Sequence, residues 1–333
     1  MWADHGINYL FFVLEVFTVV FGITLAVILI LSAASKGKGA KSGQLIIKSL
    51  AERYQKEQLS IAKEILSKKS FKKLIKLQHN EQKKTQKEKD TLKRLFVIHF
   101  SGDIKASEVK SLAKEVDSIL AVAEKQDEVL LRLESPGGVV NGYGLAAAQL
   151  ARIKEAGIHL VVSVDQVAAS GGYMMASVAD QIIASPFAIV GSIGVVAQLP
   201  NINRFLSDKG VDVELHTAGK YKRTLTMLGK NTEEGREKFQ EELEVIHRLF
   251  KEHIAFYRPT LDIESVATGE YWYGKSALSL NLVDHLITGD AYLLDKYKTH
   301  DYQIFSVEYK VKKSKIASLY RSAMQYLVRN GLS

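Results

Sequence analysis

No cysteine occurs in the 333 residues. Disulfides and thiolate metal sites are therefore excluded, and the redox compartment is left open. No lysine or arginine precedes the first apolar run, where only Asp4 and His5 can titrate. No proline lies between residues 44 and 94, so nothing in that stretch forces a helix to stop. The chain has no internal repeat.

The composition is otherwise that of a globular protein, 47% apolar and 25% charged, and the length suits one large domain with extensions. The net charge of +8 is unevenly spread. Residues 36 to 94 hold 18 Lys and Arg against 6 Asp and Glu, a net of +12, which leaves the remainder at −4. A basic segment joined to a slightly acidic domain argues against a nucleic-acid-binding core. It suits a segment near anionic lipid.

Tyr9 to Ser35 reads "YLFFVLEVFTVVFGITLAVILILSAAS", with Glu15 as its one charge. A bilayer is crossed by roughly 20 apolar residues, so this run is expected to be a transmembrane anchor. A cleaved signal peptide is the rival, with Ser32 to Ala34 as its small-residue site, but the basic n-region is missing. Lys36, Lys38, Lys41 and Lys48 follow the span, which by the positive-inside rule puts the C-terminal side in the cytoplasm.

Between residues 44 and 94, Tyr54, Ile61, Ile65, Phe71, Leu74 and Ile75 fall on helical spacing, and "NEQKKTQKEKDTLKR" is polar throughout. One or two helices and a solvated linker are expected, either as a spacer or against lipid. From Leu95 strands and helices alternate. "LFVIHF", "VLLRLE", "HLVVSV" and "QIIAS" are strand candidates, as are "AIVGSIGVV", "VDVELHT" and Ile304 to Tyr309. Helices are expected after a Ser107 cap, from Gly144 to Ala156, after Ser170, and from Thr232 to Tyr257 behind Asn231. Two more are expected near 276 to 281 and over 316 to 327. The class is α/β, with helices packed on sheets.

Three glycine-rich turns and one lysine pair carry candidate chemistry. In "SPGG", Gly137 and Gly138 can offer backbone N–H groups to a developing oxyanion, or form an ordinary turn. In "AASGGY", Ser170 opens a helix with Gly171 N–H directly after it; it is a nucleophile or a helix cap. Ser192 in "GSIGVV" is a polar residue in a kinked strand, or a hydroxyl that orients an amine. Lys220 and Lys222 in "GKYK" are solvated loop residues, or one of them is a base. A lysine base must be neutral. Lowering its ordinary pKa of about 10.4 by about 3 units costs about 4 kcal/mol, so it must be desolvated. His99, His159 and His216 lie in strand-like runs and point to no Ser-His-Asp triad.

Taken together, "SPGG", "AASGGYMMASVAD", "GSIGVV" and "TAGKYKRTLTMLG" resemble, in order and spacing, the SppA/SohB signal-peptide-peptidase family of serine proteases, most of all its SohB branch. The resemblance implies a ClpP/crotonase-like fold and a Ser-Lys dyad. It assigns Ser170 as nucleophile, Lys222 as base, Ser192 as the residue positioning the lysine, and Gly138 and Gly171 as oxyanion donors. It further implies a homo-oligomeric ring with sites completed between protomers, peptide or unfolded-protein substrates, and no metal or organic cofactor. It divides the chain into an anchor (1–35), a lysine-rich helical connector (36–94), a protease domain (95–300) and a C-terminal strand with an amphipathic helix (301–333). The resemblance puts the domain on the periplasmic side of a bacterial inner membrane, against the charge bias. An acyl-CoA enzyme of the crotonase type and a non-enzymatic membrane scaffold share the same fold. A ClpP-type triad wants a histidine where Val195 stands.

Overall fold

The computed structural model describes residues 11–25, 28, 43–87 and 92–311. The chain divides into two compact units, residues 1–44 with 310–333 and residues 45–309. In the first unit residues 11–25 form a helix, α1, whose Phe11, Phe12, Phe17 and Phe21 are exposed. Among the described residues no helix is long and apolar enough to cross a membrane. The rest of the expected 9–35 span lies outside them, as do linker residues 88–91 and the helix expected over 316 to 327.

β1 (Gln44–Ser49) is a strand where only helix was expected. Its Leu45-Ile46-Ile47 run favours extended backbone. Ser49 then caps α2 (Leu50–Ile65) by accepting the Glu52 N–H at 3.2 Å, and α3 (Lys68–Lys87) follows. The two connector helices are thus present.

The alternating region begins with β2 (Lys93–Ser101), α4 (Val109–Leu120), β3 (Glu128–Glu134), α5 (Val140–Glu155) and β4 (His159–Val164). Ser107 does not cap α4. The Asp103 carboxylate instead accepts the N–H groups of Lys105 and Ser107 and closes the loop before the helix. α5 starts four residues before Gly144. Next come β5 (Val167–Ala169), α6 (Gly171–Ala176), β6 (Gln181–Ala184), β7 (Ile189–Gly191) and α7 (Asn203–Asp208). "VDVELHT" forms no strand; its residues are mostly exposed and lack a partner strand. α8 (Glu233–Tyr257) is capped by Thr232, whose Oγ1 accepts the Gly235 N–H at 3.1 Å. Asn231 turns back to the Thr226 backbone and so does not cap the helix. α9 (Ile263–Val266), β8 (Tyr271–Tyr273), α10 (Gly274–Ser279), β9 (His285–Leu286), α11 (Gly289–Thr299) and β10 (Tyr302–Lys310) complete the fold.

A seven-stranded sheet has the order β1-β10-β2-β3-β4-β6-β9, and the neighbours from β10 to β9 run parallel. Both of its faces are covered, which is why the central strands read as nearly continuous apolar runs. One face sends Phe96, Ile98, Leu131 and Val162 against Leu112, Val116 and Ile119 of α4 and Leu150 and Ile153 of α5. The other packs Leu95, Val97, Leu130 and Val161 against Leu50 of α2 and Leu293 of α11. A second sheet, β5-β7-β8, is joined to the first at one residue. Ser135 leaves the end of β3 and bridges to Ala168 of β5, with Ser135 N–H on Val167 O at 2.8 Å and Ala169 N–H on Ser135 O at 3.0 Å. That junction brings the "SPGG" and "ASGG" turns together.

Candidate active site

Ser170 stands between β5 and α6. Its φ of 51° and ψ of −121° lie in a region that non-glycine residues rarely occupy, at a cost of about 1–3 kcal/mol. The neighbours hold it there. Ser170 N–H donates to Gly191 O at 2.8 Å, and Met174 N–H donates to Ser170 O at 3.0 Å. α6 is buried along its whole length, so it cannot shift to relax the turn. The serine side chain makes no capping bond, and among the described residues its Oγ has no hydrogen-bond partner. The helix-cap alternative is therefore not what the geometry builds. The half-buried hydroxyl is held at a sharp strand-to-helix turn, the arrangement that exposes a nucleophile.

The "SPGG" turn lies against it. A methyl group on Gly137 would sit 2.7 Å from Ser170 Cβ and 2.9 Å from Gly171 N. Around this turn nearly every backbone N–H is consumed. Ser135 N–H goes to Val167 O, Gly137 N–H to Ser135 Oγ at 3.1 Å, and Val139 N–H to Ile104 O at 2.8 Å. Gly138 N–H is left over, and so is Gly171 N–H. Among the described residues neither has an intramolecular acceptor. Both glycines are needed for packing as well: a Cβ on Gly138 would overlap the Ile104 carbonyl, and one on Gly171 the Tyr143 ring.

Ser192 follows β7 and also has a positive φ, 50°, held by its N–H on Glu270 O at 2.7 Å. Because Gly191 accepts the Ser170 N–H, Ser192 is brought to the same place as Ser170. Lys222 is not. It lies exposed in a loop without regular structure, and among the described residues its Nζ has neither a hydrogen-bond nor an ion-pair partner. Lys220 pairs with Glu234 at 2.6 Å, and that hydrogen bond pushes its pKa further up, which suits a permanent cation and not a base. His216 is exposed and paired with Glu214. His253 reaches α6, but its Nε2 lies 3.0 Å from Met174 O, so that nitrogen carries the proton.

Sequence reasoning missed four participants: Tyr143, whose hydroxyl meets Ser135 Oγ at 2.6 Å, and the backbones of Asp103, Ile104 and Glu270. Tyr143 sits on an alanine-rich helix face that reads only as core. The other three act through carbonyls, which leave no mark on side-chain identity.

Comparisons with known proteins point to one peptidase family. A family model described as Peptidase family S49 N-terminal matches residues 5–150, and one described as Peptidase family S49 matches residues 152–301. The chain is 47% identical over 336 residues to Probable protease SohB of Haemophilus influenzae, covering 97% of this chain and 94% of that protein. It is 46% identical over 305 residues to Probable protease SohB of Buchnera aphidicola subsp. Schlechtendalia chinensis, covering 88% and 100%. Protease 4 of Salmonella typhi is 32% identical over 190 residues, covering 56% of this chain and 29% of that one. Among solved structures, a lysine-to-alanine mutant of 1510-N membrane-bound stomatin-specific protease, in complex with a substrate peptide, has a TM-score of 0.42 at 11% identity. It covers 70% of this chain and 99% of that chain.

Proposed function

The chain belongs to peptidase family S49 and is a protease; from that premise we propose that it is a serine endopeptidase working with a Ser170–Lys222 dyad. The observation that carries the reading is the strained Ser170 turn, with two unpartnered N–H groups, Gly138 and Gly171, beside it. Neutral Lys222 takes the proton as Ser170 Oγ attacks a peptide carbonyl. The two N–H groups bind the oxyanion of the tetrahedral intermediate. Lys222 then protonates the leaving amine, and water hydrolyses the acyl-enzyme. Ser192 orients the lysine amine.

A lysine base needs a desolvated place, and Lys222 is exposed in the single chain. We therefore read the site as completed by a second copy in a ring. The exposed apolar side chains of the same segment, Val196, Phe205, Leu215, Met227 and Leu228, support this, since they need cover. Substrates are unfolded segments or signal-peptide remnants with small or apolar side chains, bound extended beside a strand within a ClpP/crotonase-type fold. The apolar run of residues 9–35 supports an inner-membrane anchor, and the lysine-rich connector supports lipid contact beside it.

The test is casein cleavage by the full chain in detergent, with oligomer size checked in each sample. Ser170→Ala and Lys222→Ala should each lose on the order of 10⁴-fold or more in kcat with the assembly intact. Wild-type rates from Lys222→Ala would remove the dyad.

A further inference from the structure

We propose that the buried Ser135–Tyr143 pair is a positioning device for the oxyanion site, fixing the Gly138 and Gly171 donors relative to each other. The proposal rests on the reading of those two groups as oxyanion donors.

Ser135 and Tyr143 are both 0% exposed. Tyr143 O–H donates to Asp103 O at 2.9 Å. Its single proton is then spent, so in the 2.6 Å contact with Ser135 Oγ the serine must be the donor. The serine oxygen in turn accepts Gly137 N–H at 3.1 Å. The order is therefore determined along the whole chain: Gly137 N–H to Ser135, Ser135 O–H to Tyr143, Tyr143 O–H to the Asp103 carbonyl. Holding the Gly137 amide inward leaves the next amide, Gly138, as the unpaired donor of the turn.

The same tyrosine also reaches the second donor. Its ring lies so close to Gly171 that any side chain there would overlap it. Ser135 contributes from its backbone, since its carbonyl accepts Ala169 N–H at 3.0 Å and lies 2.6 Å from where a Cβ of Gly172 would be. Two side chains thus tie the loop carrying Gly138 to the turn carrying Gly171. All the contacts lie within one chain. Burial raises the Tyr143 pKa above its ordinary value of 10, so the donating proton stays in place across neutral pH.

A core tyrosine that only filled space would need its ring and not its hydroxyl. Tyr143→Phe keeps the ring against Gly171 and Phe100 and removes the hydroxyl. Ser135→Ala is the second variant, and Ser170→Ala is the reference. Each is made in the full chain, and kcat and KM are measured on a fluorogenic peptide. Affinity is measured for a peptide aldehyde, which forms a tetrahedral adduct on the serine. A mispositioned oxyanion donor predicts a kcat loss of about 10- to 100-fold with KM within about twofold. Aldehyde binding should weaken by the same factor, and the double variant should lose no more than the worse single one. Wild-type kcat in a folded Tyr143→Phe overturns the proposal, and so does a loss shared equally between kcat and KM. Cleavage by Ser170→Ala at the wild-type rate would overturn the reading beneath it, a result that the two positioning variants cannot mimic.

Discussion

The two halves of the proposed dyad are built in opposite ways. In the nucleophile half, from Ser135 to Ser192, Ser135, Tyr143 and the whole of α6 are buried, and the backbone is strained at Ser170 and Ser192, where hydrogen bonds hold it. The base half, from Val195 to Gly229, has one short helix, and Val196 is 91% exposed and Phe205 61%. The proposed oxyanion donors and attacking oxygen must be correct to a fraction of an ångström, and one chain supplies all of them. Strain of that kind persists only where surrounding structure over-determines it. The lysine, in contrast, needs burial that its own chain does not give. On the proposed dyad, a single chain with half of its site rigid and half exposed would be inactive until assembled, which has a use for an enzyme that cuts peptide bonds.

The contrast can be sharpened by substitution. After the dyad variants themselves, Gly138→Ala should have the largest effect, because its methyl group would overlap the Ile104 carbonyl and displace a donor. A kcat loss of about 10²- to 10³-fold is expected, with oligomer size unchanged by light scattering. Loss of the assembly instead would place Gly138 at an interface and blur the division.

Outside both halves, in α4 of the same core, Glu115 is a buried carboxylate that is only half satisfied. Its Oε1 accepts Tyr309 N–H at 2.7 Å, but Oε2 is buried without a partner among the described residues. Burial foremost, then repulsion from Glu108 and Glu308, pushes its pKa up to about 7, against the lowering effect of the Tyr309 N–H. The folded state therefore holds the proton more tightly than the unfolded one, and this contribution to stability falls as pH rises from the ordinary carboxyl range through 7. Glu115→Gln should remove that slope and be more stable above pH 7 by about 2 kcal/mol, read from denaturant titrations at pH 5 and 8. A variant with the wild-type slope would assign the pH dependence elsewhere.

Lys220→Ala should have the smallest effect. Lys220 and Glu234 form an exposed pair, and such pairs contribute little. Activity is expected within about twofold of wild type. A loss matching that of Lys222→Ala would transfer the role of base two residues along the loop.

Much of this was legible in the sequence, for physical reasons that differ by region. The parallel strands announced themselves because burial on both faces demands continuous apolar runs, as in "LFVIHF". The helix α4 was legible from Val109, Leu112, Val116 and Ile119, which all face the core. "VDVELHT" alternates like a strand and is not one, because alternation supplies only half of what a strand needs; the other half is a partner edge. Ser107 and Asn231 looked like helix caps, but α4 has no side-chain cap, the Asp103 carboxylate holding the loop before it instead, and Thr232, one residue on from Asn231, caps α8. Ser170, Gly171 and Gly138 could be singled out in the sequence because small residues around a hydroxyl are a pattern in identity. Tyr143 could not, because a fully buried tyrosine on a helix reads as core until its hydroxyl partners are seen.

The most direct test of the account is a mixing experiment. Ser170→Ala and Lys222→Ala, each inactive alone, are co-assembled in equal amounts and assayed on casein. If each site takes its serine from one copy and its lysine from the next, about a quarter of the sites in a head-to-tail ring regain both groups, and activity returns to about a quarter of wild type. Co-assembled rings with no more activity than either variant alone would contradict the account, and would require serine and lysine to meet within a single chain.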